Sequence, residues 1–373
     1  MGRFSQQRKG ARQLMPQSPY PAPFRLALEY MIVDLNHLQL LPLADRLLQV
    51  VARQDRAQTV QRGNILWLSG PHRNTIRLQN KSWSQKFAPA SDSFQREISY
   101  INKVLEPMGG MLLPTSMHPW ITHDPEASNW SPCCPEAQLS LLCTDQQELQ
   151  RLFQAARIVL PLLPALSASS PLSEGKPTGH KCSRLLSPKP HKASNGIPAD
   201  IAAAPAQKQL PSPLTLAANQ QQLTLHIGLL DVQESPLADI CIASLICYLL
   251  QALQSGQWET LEHICAFPAE TLESILAKSI IHGEEALIDQ RTYLEFFGHR
   301  GASCSAQELL GAIMDELVPP TSNFYEPAGF IIGEGSLATR ILRSSGPETS
   351  RINIHNTYQD LGQCLAQGTL FHG

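Results

Sequence analysis

A chain of 373 residues, 43% of them hydrophobic, has enough apolar side chains to bury a sizeable core, in one large domain or two of ordinary size. Its 29 basic and 32 acidic side chains leave a formal charge of -3, which excludes whole-molecule attraction to nucleic acid. Nine cysteines, odd in number and without a CxxC spacing, are too sparse for a disulfide scaffold and predict a reducing, cytoplasmic setting.

Residues 1–23 carry Arg3, Arg8, Lys9 and Arg12, then Pro16, Pro19, Pro21 and Pro23, with no apolar stretch of a secretory signal, and predict a disordered, basic and Pro-rich arm. Gln6 stands where an N-myristoylation motif needs Ser or Thr. Residues 24–373 are expected to form a single domain. Phe24–Val33 predicts a strand, and Pro42–Arg53 a helix with Leu43, Leu47, Leu48 and Val51 along one stripe. Residues 65–79 alternate loosely, and Phe94, Ile98, Ile101 and Leu105 mark a helix over Ser93–Leu105. Met111–His118 predicts another strand, and Glu148–Leu163 a helix that ends near Pro161 and Pro164.

Residues 172–222 change character, because Pro177, Pro188, Pro190, Pro198, Pro205, Pro211 and Pro213 interrupt small and polar residues; an irregular Pro-rich loop is expected. Beyond it, Leu223, Leu225, Ile227 and Leu229 define the apolar face of a strand, with His226 on the other face. Leu237–Leu253 is almost continuously apolar, but it is shorter than the roughly 20 residues a bilayer requires and contains Asp239, so a buried core helix and no membrane partner are expected. Helical stretches follow near 269–280, 284–297, 305–317 and 356–367. Early strands and late helices predict an α+β fold, a largely antiparallel sheet backed by helices.

Four runs, LEYMIVD (Leu28–Asp34), LLPTSMHPW (Leu112–Trp120), LPLLPALSASSP (Leu160–Pro171) and LDVQESPLAD (Leu230–Asp239), occur in an order that resembles the carboxylate-amine ligases of glutamate-cysteine ligase family 2. The resemblance implies a glutamine-synthetase-like antiparallel sheet curved into a funnel, whose polar face holds metal ions and ATP. Enzymes of this kind join a carboxylate to an amine through an acyl phosphate. That chemistry needs clustered carboxylates, because magnesium takes oxygen ligands and screens phosphate charge from the incoming carboxylate.

The chain departs from the family pattern on the funnel face. Ala27 and Glu29 stand where Glu-x-Glu is usual, Gly70 and Arg77 align with further acids, and His226-Ile227-Gly228 replaces Glu-x-Arg. The resemblance implies a pocket set of Glu29, Arg77, His118, His226 and Asp231, and a phosphate or nucleotide set of Arg184, Arg340 and Arg343. Glu29 needs a partner if buried: Arg77 in place of a cation, a retained metal, or solvent. No metal and no cofactor are expected; the alternatives are a metal site of Glu29, His118 and His226, and ATP with magnesium. His118 on its own reads equally as a hydrogen-bonded structural residue.

Cys133, Cys134, Cys143 and His123 match no zinc-site spacing, and Gly333–Arg340 lacks the ending of a P-loop and reads as a turn. The expectation is a divergent ligase-like protein, non-catalytic or altered, with a binding, scaffold or regulatory role. Its partner would be an active ligase or another protein, with a small amino-acid-like ligand. The alternative is an active ATP-dependent ligase that forms an amide from an amino-acid carboxylate.

Overall fold

In the strand β1 (Phe24–Asp34), Phe24, Leu26, Leu28, Tyr30 and Ile32 point to one face, and Arg25, Ala27, Glu29, Met31 and Val33 to the other. The computed structural model describes residues 22–70, 72–120, 134–186, 214–219 and 222–373. Most of the expected arm, together with His123 and Cys133, lies outside the described residues.

Around β1 are β2 (Thr59–Arg62), β3 (Ile65–Ser69), β4 (Thr75–Asn80), β5 (Gly110–Leu113) and β6 (Ala137–Cys143). A short hairpin, β7 (Leu172–Ser173) and β8 (Lys176–Pro177), precedes β9 (Leu214–Asn219) and β10 (Gln222–Leu230). The main sheet runs β2-β3-β4-β1-β6-β10-β9, open and antiparallel throughout. One edge of β1 pairs with β4; the other pairs with β6 over its first half and with β5 over its second.

The helices are α1 (Ala44–Ala52), α2 (Phe87–Leu105), α3 (Gln146–Val159), α4 (Leu163–Ser167), α5 (Pro236–Gln254), α6 (Leu261–Ala266), α7 (Ala269–His282), α8 (Arg291–Glu295), α9 (Ala306–Leu317), α10 (Tyr325–Glu334), α11 (Leu337–Ser345) and α12 (Arg351–Gln367). The apolar face of the sheet packs on α2, α3 and α5 in the main core. Ser235 caps α5 by accepting from the Ala238 amide, and Pro236 opens it. By length and composition α5 would cross a membrane, yet it is 83% buried within the protein, a core helix as its sequence predicts. A second cluster joins Met31 and Val33 to Leu337, Ile341, Ile354, Tyr358 and Leu361, so α11 and α12 cover the second half of the polar face of β1. The first half, Arg25 to Glu29, carries the polar chemistry of the sheet.

Several boundaries differ from expectation. α2 begins at Phe87 rather than Ser93, because Phe87 and Ala90 extend the buried stripe upstream. The strand expected over Met111–His118 stops at Leu113, where its pairing with β1 ends at Met31. Residues 284–297 hold a 3-10 turn, the short strand β11 (Leu287–Ile288, paired with β12, Cys304–Ser305) and α8 rather than one helix. The expected irregular loop needs correction at both ends: 172–186 is ordered, with Cys182 bridged to Ser170 and Arg184 fully buried, and 214–219 is a strand. Residues 187–213 lie outside the described residues.

Candidate functional site

Strand period fixes which side chains share the polar face. Arg77 is the register partner of Glu29, Gln79 and Gln138 flank Ala27, Ser140 pairs with Arg25, and His226 pairs with Ser140. Arg77 Nη2 donates to Gln138 Oε1. That bond reaches from β4 to β6 across β1, beside Ala27, whose methyl leaves room for the guanidinium. A glutamate at 27 would place its carboxylate in the same space.

Glu29 is 5% exposed. Its Oε1 lies against Gly70: a Cβ there would sit 2.6 Å from that oxygen and 1.8 Å from Thr75 Oγ1. A side chain at Gly70, the position that aligns with an acid, would therefore displace Thr75 and the Glu29 carboxylate. Among the described residues, the ion pairs do not include Glu29 with Arg77, and the expected pairing is corrected: the guanidinium turns to Gln138, while Glu29 has interactions of its own.

His226 is half-buried, with Nδ1 2.7 Å from Ser140 Oγ and Nε2 3.1 Å from Thr224 Oγ1. Desolvation lowers its pKa, and the positive charge of Arg77 lowers it further. Arg25 stacks over Trp83, 4.4 Å from the ring centre, and its pKa is also lowered by burial.

His118 does not join this group as a free ligand. Its Nε2 donates to Leu38 O (2.7 Å) and its Nδ1 accepts from the Trp120 amide (3.4 Å), so the backbone takes both nitrogens. Burial holds its pKa below the usual imidazole value. The alternative metal site of Glu29, His118 and His226 is not formed: among the described residues, no three His, Cys, Asp or Glu side chains gather closely enough to hold an ion.

Asp231 and the three expected phosphate arginines also sit elsewhere. Asp231 Oδ2 accepts from the Ser169 amide and the Ser170 hydroxyl, both at 2.8 Å, and Oδ1 accepts from Arg184 Nε. Arg184 also donates to Glu136 Oε2 (3.2 Å) and Leu229 O (2.8 Å), and both members of the Arg184–Asp231 pair are fully buried. Cys182 Sγ lies 3.5 Å from Asp231 Oδ2, and burial pushes that thiol up. Arg340 is held by Glu234, Phe371 O and Gly335 O, and Arg343 by the side chain and carbonyl of Glu334. Each of these guanidiniums faces a carboxylate. Gly333–Arg340 runs from the end of α10 into α11, turning at Gly335 with φ 88°.

Glu136 was not anticipated. It immediately precedes β6, and its carbonyl accepts from the Glu29 amide at 3.2 Å, so it continues the ladder beside Glu29. The alternation of Ala137, Leu139 and Leu141 is the signal that would have located it. The donor set does not suit magnesium with ATP: Glu29 is packed against Gly70 and Thr75, Glu136 is bound to Arg184, and the register partner of Glu29 is the cation Arg77.

Residues 137–187 match the model of Glutamate-cysteine ligase family 2 (GCS2). The match runs from β6 through Ser169, Ser170, Cys182 and Arg184, three of which donate to Asp231 through an amide, a hydroxyl or a guanidinium. No curated protein matches the chain. Among solved structures, the glutamate–cysteine ligase of Francisella tularensis in complex with AMP is 10% identical, with a TM-score of 0.57, over 92% of this chain and 89% of that one. The bifunctional glutathione synthetase of Pasteurella multocida is 14% identical with a TM-score of 0.53, and this chain, 93% covered, spans 51% of its length. The ligase PafA, in its complex with the prokaryotic ubiquitin-like protein Pup, is 11% identical with a TM-score of 0.46, over 93% of this chain and 67% of that one. The fold, helices on an open antiparallel sheet, is that of the first two ligases.

Proposed function

We propose that this member of the carboxylate-amine ligase family keeps the ligase fold without metal-dependent phosphoryl transfer, and acts by binding, in a scaffold or regulatory role. The observation that carries the reading is the Arg77 guanidinium lying across β1 beside Ala27. Magnesium prefers octahedral oxygen coordination and needs carboxylates close to the phosphates it bridges. An arginine keeps its charge at every working pH and repels such an ion, whereas it favours the carboxylate or phosphate the ion would have screened.

The partner in this reading is an active ligase or another protein, and the polar face of the sheet takes a small, amino-acid-like ligand. A cytoplasmic location is supported by the eight described cysteines, all free thiols. The test is ADP and phosphate release from ATP with magnesium, glutamate and a panel of amines. The expected result is no release above the protein-free background. Magnesium-dependent ADP formation that disappears in Glu29→Gln would instead establish an active amide-forming ligase.

A further inference from the structure

Three of the partly or fully buried guanidiniums face an acid: Arg184 faces Asp231 and Glu136, Arg340 faces Glu234, and Arg62 faces Glu97. Arg77, half-buried and in register with Glu29, hydrogen-bonds a neutral amide, as Arg157 does with Gln154. Among the described residues, that bond to Gln138 leaves most of its five donors to be met by something else. Glu29 Oε1 is packed beside Gly70 and Thr75, and Glu136 Oε2 accepts from Arg184.

We propose that Arg77 anchors a metal-free oxyanion site on the polar face of the sheet, with Gln138 beside it and the Ser140–His226 pair at its edge, for the carboxylate or phosphate group of a small ligand. The inference rests on the reading that this face does not hold magnesium. A planar guanidinium offers a two-pronged fork that fits either oxyanion, and partial burial strengthens the attraction relative to a fully exposed cation. Ala27 makes the site possible, because a longer side chain there would fill the space beside the fork. A polymeric anion is disfavoured: the charge is a single guanidinium between strands, not a basic tract that could follow a nucleic-acid backbone.

The experiment uses the full chain, freed of metal with EDTA, and follows the His226 ring by NMR while inorganic phosphate, L-glutamate or ATP is added. Binding at Arg77 compensates its charge, removes one cause of the depressed His226 pKa, and so raises that pKa; whichever probe does this identifies the source of the oxyanion. Arg77→Met and Ala27→Glu are each expected to weaken binding by about tenfold or more, the worth of a charge-assisted hydrogen bond, while Arg96→Met on α2 leaves it unchanged. No change of the wild-type His226 titration with any probe, in a protein that also forms no ADP, overturns this site alone. So does undiminished binding in a folded Arg77→Met variant. Magnesium-dependent ADP formation would instead overturn the functional reading beneath it.

Discussion

Arg184 and Asp231, separated by 47 positions in the chain, meet as an ion pair with no solvent exposure on either side chain. Asp231 immediately follows β10 and also holds Ser169 and Ser170, so the pair fastens three chain segments to one another. Asp231→Ala leaves an arginine buried without its main partner, and the loss expected from such an uncompensated charge is about 3–5 kcal/mol. Arg184→Met combined with Asp231→Leu should cost less than the sum of the single changes. Urea denaturation of the three variants checks this, and an additive double variant would contradict the coupling.

Gly70 is the second point of constraint. With a Cβ only 1.8 Å from Thr75 Oγ1, even Gly70→Ala forces the buried Thr75 side chain to shift, and overpacking of this kind costs about 1–3 kcal/mol. Gly70→Glu should therefore unfold the sheet edge rather than supply a metal ligand. Denaturation midpoints test the claim; a Gly70→Ala protein as stable as the parent would refute it.

Much of this was legible in the sequence. The alternation of β1 and β10, the almost continuous apolar run of α5 and the order of the four family-like segments located the sheet, its main core helix and the face that bears Glu29 and His226. Partner choice was less legible. Arg184, Arg340 and Arg343 carry the residue type that binds phosphate, and only the three-dimensional structure shows that each faces a carboxylate, Asp231, Glu234 and Glu334 respectively. Similarly, the strand parity that places Arg77 opposite Glu29 cannot report that a small Ala27 lets its side chain lean across to Gln138. β6 was missed because the loop before it and the Pro-rich run after the next helix masked a seven-residue alternation.

His118 supplies a pH prediction. Burial lowers its pKa from 6.5 in the folded protein, so the native state binds fewer protons than the unfolded chain. Its stabilising contribution is therefore complete above about pH 6.5 and is lost as the pH falls from there through the lower folded value. The imidazole also steadies Leu38, whose carbonyl it binds and whose φ of 57° lies in the left-handed region. His118→Gln, which keeps a donor for that carbonyl, should flatten the fall in stability between about pH 7.5 and about pH 5.5. His226 contributes in the same sense, so some dependence remains; an unchanged slope in His118→Gln would exclude His118 as a source.

The helix caps give a smaller test. Ser305 and Glu308 form a reciprocal capping box at the start of α9. Ser305→Ala is expected to cost about 1 kcal/mol in chemical denaturation without altering any ligand response.

The central claim is that the ligase fold persists here without its magnesium-dependent nucleotide chemistry. It is tested most directly by measuring the unfolding free energy of the full chain with ATP and magnesium, with ATP in EDTA, and with neither. The account predicts that adding magnesium to ATP gives no stabilisation beyond that of metal-free ATP. A magnesium-dependent gain of about 2.7 kcal/mol, as expected for a ligand at 100 times its dissociation constant, would contradict it.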